Sequence, residues 1–187
     1  VVDTLAYRYT RQPPAVTKPD PRLIIRLCDI ECSFSRPLSE EPDAAEAAKN
    51  GEESFVRNLK SWNRLSNRLY IWDYTTNFTN MTALFPNLRC LLPNVRLFAD
   101  NGVKGVFEQG NYTECNGEFG ELRAYLLCKL LWDPYMSEAD LRGHMEDFCA
   151  DYYGEGGKSI LEYLDFAHDE ALSRDYMTIY FDDTAKF

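Results

Sequence analysis

The chain has 187 residues, of which 45% are hydrophobic and 27% charged, and its formal net charge is −10. This size and composition predict about one folded domain rather than a disordered chain. The negative charge, without a basic cluster, excludes nucleic acid and anionic membrane as expected partners, and no apolar run approaches the ~20 residues that span a bilayer.

Four short segments rich in apolar, β-branched and aromatic residues are typical of β-strands. Four prolines in residues 11–21, RQPPAVTKPDP, forbid regular structure and mark a loop between the first two segments. The predicted strands are residues 1–10, 22–32, 69–76 and 103–109.

Helical spacing of apolar residues predicts helices between and after the later strands. Phe55, Leu59 and Trp62 share one face of the first helix. Ser137 has the position of an N-cap, with Asp140 at the third helical position in the manner of a capping box. The predicted helices are residues 52–65, 93–101 (opened by Pro93 and closed by Gly102), 118–132, a helix from Ser137 to Gly154, and about 158–172.

The alternation of strands and helices indicates parallel β/α units, so the fold class is α/β. Four strands are half of the eight in a (β/α)8 barrel. The chain is therefore either a small open sheet or the C-terminal half of a TIM-like barrel followed by further helices. We expect the second: residues 1–135 as half of a barrel and residues 136–187 as a helical C-terminal extension packed on it.

Motifs for cofactors and metals are weak. Residues 154–159, GEGGKS, resemble the end of a phosphate-binding loop but follow a helix and lack its first glycine. His144 and His168 are isolated on helices and are expected to be structural or solvated. Cys28 and Cys32 have no further metal ligands nearby, and the cysteines are expected to be buried free thiols. The sequence predicts no cofactor and no metal.

Carboxylates, an amide and aromatic rings collect where the later strands end. In parallel α/β folds this edge of the sheet binds ligands. Aromatic rings pack against sugar C–H faces and carboxylates accept hydrogen bonds from sugar hydroxyls, so the combination favours a carbohydrate. The alternative for Trp72 and Tyr74 is packing in the core, and for Glu108 it is a solvated surface carboxylate. The second strand ends with Asp29 and Glu31, and the candidates taken as site residues are Glu31, Trp72, Asp73, Tyr74, Glu108 and Gln109.

Several segments together carry a resemblance to a known family: LAYRYTRQPP, RLCDIECSFSRPL, LYIWDYTTNF, FPNL, LPNVRLFADNGVKGVFEQG, ELRAYLLCKLLWDP and DFCADYYG. In this order they resemble the second half of a bacterial glycoside-hydrolase-like barrel family that is labelled a domain of unknown function. Some of its members are endo-β-N-acetylglucosaminidases that act on N-glycans. The resemblance extends from about Asp3 to Gly154.

The resemblance implies an active site on the C-terminal rim of a (β/α)8 barrel. It also implies hydrolysis of β-linked N-acetylhexosamine glycans by a retaining mechanism assisted by the substrate's own acetamido group. In related barrels the principal acid follows the fourth strand, whereas this chain resembles the fold from the fifth strand onward. The chain is thus expected to supply substrate-binding residues and to be inactive alone. The resemblance implies Glu108 as the candidate catalytic group and, as substrate-binding residues, Tyr7, Glu31, Arg36, Trp72, Asp73, Tyr74 and Gln109.

Two other functions stay open at this stage: a carbohydrate-binding protein without turnover and a small α/β interaction domain. The expected partner is an oligosaccharide or glycan. Self-association is a further expectation because a half-barrel has open sheet edges. We expect a soluble bacterial protein, either cytoplasmic or exported.

Overall fold

The computed structural model describes residues 2–40, 54–112 and 117–173. In this part of the chain four strands form one parallel sheet in the order β1-β2-β3-β4, with helices after the strands. The predicted α/β class is confirmed, and sequential parallel order is the arrangement of half a (β/α)8 barrel.

The strands lie inside the predicted segments but are shorter. They are β1 Val2–Ala6, β2 Leu23–Cys28, β3 Leu69–Tyr74 and β4 Gly105–Gln109. The first predicted strand was too long because the chain turns into a 3-10 helix at Arg8–Thr10. Arg8 has a φ of 50°, in the left-handed region, which ends the extended conformation.

The described part of the chain contains five α-helices. Pro93 does not open its helix, as we had predicted, but lies inside it. The helix begins earlier because Leu88, Leu91, Leu92 and Val95 all face the interior, and their burial outweighs the hydrogen bond that Pro93 cannot donate. The helices are α1 Phe55–Leu65, α2 Leu88–Asp100, α3 Gly120–Trp132, α4 Glu138–Tyr153 and α5 Gly157–Leu172.

The predicted ends of α4 are confirmed. The Ser137 hydroxyl accepts a hydrogen bond from the backbone N–H of Asp140 at 3.1 Å, which satisfies a donor that the helix itself leaves unpaired. Gly154 ends the helix with a φ of 58°, a conformation that glycine adopts without steric cost.

One face of the sheet is covered by α1 and α2. Ile25 and Leu27 from β2 and Leu69 and Ile71 from β3 pack on this side. Against them lie side chains from α1 and α2: Phe55, Leu59, Trp62 and Phe98. This cluster confirms the predicted buried face of α1, and we call this side of the sheet the helix side.

A second core joins α2, α3, α4 and α5. Leu91 and Val95 of α2 pack with Leu126 of α3, Cys149 of α4 and Leu164 of α5. The C-terminal helices α4 and α5 therefore belong to the same packed body as α2 and α3. The domain boundary at residue 135 stays a prediction.

Two further sequence predictions can be compared with the structure. Among the described cysteines, Cys28, Cys32, Cys90 and Cys149 are free and buried, as expected, but Cys128 is exposed. It lies on the face of α3 that borders a surface pocket rather than on the face in the core. Over residues 2–40, 54–112 and 117–173, no helix combines the length and apolar character needed to cross a bilayer.

Candidate functional site

Neighbouring residues of a strand point to opposite faces of the sheet, and this divides the predicted site. Asp73 follows Ile71 on the helix side, while Trp72 and Tyr74 belong to a separate cluster on the other face. On β4, Glu108 has the same alternation as Val106, which packs on the helix side. Glu108 and Gln109 therefore lie on opposite faces.

Three carboxyl groups form a row on the helix side, one from the end of each of three strands. Asp73 and Glu108 are paired directly in the register of β3 and β4. Cys28 is paired with Trp72, so Asp29, the next residue, stands level with Asp73. We call Asp29, Asp73 and Glu108 the carboxyl row.

The carboxyl row is closed off from solvent. Asp29 is 0% exposed and Asp73 is 3% exposed, and both carboxyl oxygens of Glu108 are buried although the residue as a whole is partly exposed. The backbone N–H of Tyr74 donates to Oδ1 of Asp73 at 2.7 Å. Among the described residues, no N–H or hydroxyl group donates to the carboxyl oxygens of Asp29 and Glu108.

Burial raises the pKa of all three carboxyl groups because a charged carboxylate loses the solvation it has in water. For Asp29 and Glu108 the pKa is raised further by the negative charge of Asp73 and by a hydrogen bond to it. For Asp73 the hydrogen bonds from Asp29 and Glu108 and from the backbone of Tyr74 act in the opposite direction and lower the pKa. Asp73 is thus the acceptor at the centre of the row.

The row does not have the geometry of a metal centre. Within residues 2–40, 54–112 and 117–173, no group of three or more His, Cys, Asp or Glu side chains could hold a metal ion. None of the ion pairs found in these residues includes Asp29, Asp73 or Glu108. A carboxyl group can also bind a proton, and a protonated carboxyl group is a hydrogen-bond donor.

The opposite face of the sheet carries an aromatic surface with polar neighbours. Nε1 of Trp72 donates to Oε1 of Gln109 at 2.6 Å, and the Phe107 ring meets the indole edge-on at a centroid distance of 4.8 Å. The Arg26 guanidinium lies 5.9 Å from the indole centroid and pairs with Asp3. Phe107 is 44% exposed. We call this surface the open face: Asp3, Arg26, Trp72, Phe107 and Gln109.

Tyr74 lies at the buried end of the open face. Its ring stacks on Trp72 at a centroid distance of 6.4 Å and is 5% exposed. Tyr7, which follows β1, packs on the same cluster of Cys28, Phe34 and Tyr74. The structure thus brings Tyr7, Trp72, Tyr74 and Gln109 together, while burial makes Tyr74 a support for Trp72 rather than a contact surface.

Two other predicted site residues lie apart from this cluster. Glu31 forms an ion pair with Arg11 at 3.2 Å. Nη2 of Arg36 donates to the carbonyl oxygen of Leu172 at 2.9 Å, which fastens the loop after β2 to the end of α5. Their proposed contact with substrate stays a prediction.

A pocket of about 480 Å³ lies between the ends of β3 and β4 and helix α3. Thr75, Thr76 and Glu108 line it from the strands, and Arg123 and Leu127 line it from α3. The hydroxyl of Thr76 is buried and has no hydrogen-bond partner within residues 2–40, 54–112 and 117–173. Although Glu108 lines the pocket, its carboxyl oxygens are buried and are not exposed to solvent there.

Sequence reasoning noted Asp29 at the end of the second strand without taking it as a site residue, and it missed Arg26. Glu31 was chosen from the segment CDIEC, although Asp29 is the acidic residue level with Asp73. Ile25, Leu27 and Asp29 alternate along the chain, so they share one face of the sheet. Placing Asp29 beside Asp73 also required the register between β2 and β3. In the sequence Arg26 is a single charged residue within an apolar strand. Only the pairing of β2 with β3 places it beside Trp72.

Comparison with known proteins gives one match. A model of the family described as "Domain of unknown function (DUF4838)" matches residues 1–165. Searches of curated proteins and of solved structures found no match. The matched region contains all four strands, the carboxyl row and the open face. The chain therefore belongs to the DUF4838 domain family.

Proposed function

We propose that this chain supplies the sugar-binding part of a glycoside-hydrolase-like barrel that acts on glycans with β-linked N-acetylhexosamine. The open face carries the proposal, because there an indole ring lies among charged and amide groups on a sheet face that α1 and α2 leave uncovered. In this role Trp72 is the platform for a sugar ring, and Asp3, Arg26 and Gln109 are the polar groups beside it.

The chemistry of the open face suits a sugar better than a purely apolar ligand. An indole offers a flat surface to the C–H groups of a pyranose ring. Its N–H is held by Gln109, so the ring has a fixed orientation before a ligand arrives. Such preorganisation reduces the ordering cost of binding. Paired charges at Asp3 and Arg26 offer both an acceptor and donors to hydroxyl groups.

The substrate-assisted retaining mechanism remains part of the proposal because of the sequence resemblance. In that mechanism the acetamido group of the substrate is the nucleophile, so one protein acid and one polarising group suffice. Glu108 and Asp73 are neighbouring carboxyl groups, paired in the register of β3 and β4. Glu108 is the candidate acid of this chain and Asp73 its positioning residue.

Sugar binding to the open face is tested by Trp72→Ala in the intact protein. We expect N-acetylhexosamine-containing oligosaccharides to bind more weakly by about 1 to 3 kcal/mol, measured by titration calorimetry, because the stacking surface is lost. Trp132→Ala is the matched control, since Trp132 is 91% exposed at the end of α3. A Trp72→Ala protein that melts earlier but binds glycans unchanged would assign this ring to packing alone.

A carbohydrate-binding protein without turnover is the second candidate. The closed carboxyl row favours it, because buried carboxyl oxygens on the helix side are out of reach of a sugar on the open face. Glu108→Gln separates the two functions. For an acid catalyst, hydrolysis should fall at least about tenfold and be restored by substrates with good leaving groups. For a binding protein, glycan affinity is retained and no hydrolysis is measured before or after the substitution.

A further inference from the structure

The carboxyl row lies at the neighbouring ends of three strands. Asp29 follows β2, Asp73 is the penultimate residue of β3, and Glu108 is the penultimate residue of β4. Three ionised carboxylates at this spacing and burial would repel one another strongly. The fold is stable with this arrangement only if most of that charge is neutralised.

The hydrogen bonds indicate which of the three carboxyl groups is ionised and which carry a proton. Asp73 accepts from the backbone N–H of Tyr74 at 2.7 Å, a bond suited to an ionised carboxylate. No N–H or hydroxyl group in the described part of the chain donates to Asp29 or Glu108, although their oxygens are buried. A protonated carboxyl group is itself a donor, and the acceptor next to each of them is Asp73.

We propose that the carboxyl row is a proton-dependent latch. Asp29 and Glu108 stay protonated, and each donates a hydrogen bond to the central carboxylate of Asp73. With both protons in place the row carries one negative charge and joins the ends of β2, β3 and β4. When the protons are lost, repulsion between the carboxylates loosens this edge of the sheet. The latch does not depend on sugar binding.

The other titratable groups near the row do not neutralise it. Burial raises the pKa of Cys28 on β2 to about 11 and that of Cys90 on α2 to about 12, so both thiols are neutral at neutral pH. Burial also raises the pKa of the Tyr74 phenol. These groups add no positive charge beside Asp29 and Asp73.

The two cationic residues of α3 are engaged elsewhere, and Lys129 lies over the Tyr125 ring. Arg123 forms a buried ion pair with Glu118 at 2.6 Å and also donates to Asn87 and to the carbonyl oxygen of Phe85. Glu121, also on α3, lines the pocket beside Glu108 and has the same sign of charge as the row. Protons therefore remain as the source of neutralisation.

The latch has a definite dependence on pH. A carboxyl group whose pKa is raised by folding stabilises the protein fully below the pKa of the unfolded chain, about pH 4, and this contribution is lost as the pH rises through the raised value. Between these limits the folded protein holds about two more protons in the row than the unfolded chain does. The melting temperature should fall accordingly as the pH rises through the neutral range.

Amide substitutions test the latch because an amide N–H can replace the carboxyl O–H as the donor to Asp73. We expect Asp29→Asn and Glu108→Gln to melt near the unmodified protein at about pH 5. At about pH 8 the melting temperature of each variant should exceed that of the unmodified protein by about 3 °C or more, since neither amide can ionise. Glu155→Gln, at an exposed position, is the control and should match the unmodified protein at both pH values. Substitutions that lower the melting temperature equally at both pH values would overturn the latch.

A second measurement uses the unmodified protein and so does not rely on the variants folding. Infrared spectroscopy at about pH 7 should show a band from protonated carboxyl groups, because exposed carboxyl groups are ionised at that pH. The band should weaken in Asp29→Asn and in Glu108→Gln. The absence of the band, or a melting temperature that falls when a chelator removes divalent cations, contradicts neutralisation by protons.

Discussion

Nε1 of Trp72 on β3 donates a hydrogen bond of 2.6 Å to Oε1 of Gln109 on β4. In the strand register Trp72 is level with Phe107 and Tyr74 with Gln109, so the bond crosses the sheet diagonally. It fixes the plane of the indole against its neighbours. The open face is therefore built by two strands together and by neither alone.

Gln109→Leu should weaken both the fold and the binding surface. The indole N–H loses its acceptor in a partly buried position, which costs about 1 kcal/mol of stability. Denaturant unfolding measures this loss, and glycan titration should show weaker binding because the ring is no longer held in one orientation. Gln109→Glu keeps an acceptor oxygen and should retain the orientation of the ring. Unchanged unfolding in Gln109→Leu would contradict this function of the bond.

His168 should make stability depend on acid. Its Nε2 accepts from the backbone N–H of Leu88 at 2.9 Å, and Nδ1 lies 2.6 Å from the carbonyl oxygen of Leu164, so the neutral ring caps the start of α2. Burial lowers the pKa of His168 from 6.5 to about 4. Because the folded state resists protonation, this contribution is complete above about pH 6.5 and is lost as the pH falls toward about 4. The loss amounts to about 3 kcal/mol.

The acid sensitivity of His168 is measured by unfolding at a series of pH values. His168→Phe keeps a ring of similar size but has no acceptor for the Leu88 N–H. It should be less stable by about 1 to 3 kcal/mol near pH 7. It should also lack the loss between about pH 6.5 and 4 that the unmodified protein shows. An equally steep loss in His168→Phe would mean that other groups cause it.

Two helical glycines should respond to alanine in opposite directions. A Cβ at Gly157, the first residue of α5, would collide with the backbone of Cys149 in α4, whereas a Cβ at Gly143 would meet nothing within 4 Å. Gly143→Ala should stabilise the protein by about 0.5 to 1 kcal/mol, since alanine restricts the unfolded chain. Gly157→Ala should destabilise it, because backbone atoms cannot move aside easily. Thermal unfolding of the two variants together decides whether α4 and α5 approach this closely.

Arg123, the arginine of α3, is expected to contribute strongly to stability. It is 3% exposed and donates to the backbone and carboxylate of Glu118, each at 2.6 Å, as well as to Asn87. Arg123→Met should cost about 3 kcal/mol or more, because Glu118 would remain buried without its partner. The loss is measured by denaturant unfolding. A double variant that also carries Glu118→Gln should recover part of it.

An exposed ion pair is the comparison for Arg123. Lys158 and Glu162 are 3.9 Å apart on α5, with side chains that are mostly exposed. Lys158→Ala should change the free energy of unfolding by less than about 0.5 kcal/mol. If Lys158→Ala and Arg123→Met lost similar free energies of unfolding, the Arg123 ion pair would not be more buried than the Lys158 pair.

The sequence by itself determined the elements whose causes are local. Ser137 and Asp140 are three residues apart, so the N-cap of α4 could be predicted from the chain, and Gly154 marked its end. The four strands were located from short apolar runs, and their alternation with helices predicted the parallel sheet. Their ends were predicted less closely: β1 ends before the 3-10 helix at Arg8–Thr10, because Arg8 takes a left-handed backbone conformation that no apolar pattern marks.

Tertiary structure decided which of these residues act together. Glu108 and Gln109 are adjacent in sequence, yet one lies in the closed carboxyl row and the other on the open face. Asp29 joins Asp73 only through strand register, and His168 caps α2 across 80 residues of chain. Proton affinity and hydrogen-bond partners depend on burial by distant elements, which no local pattern contains. For this reason the strands and helices could be predicted from the sequence. The proton affinities and hydrogen bonds at the strand ends depend on how the elements pack.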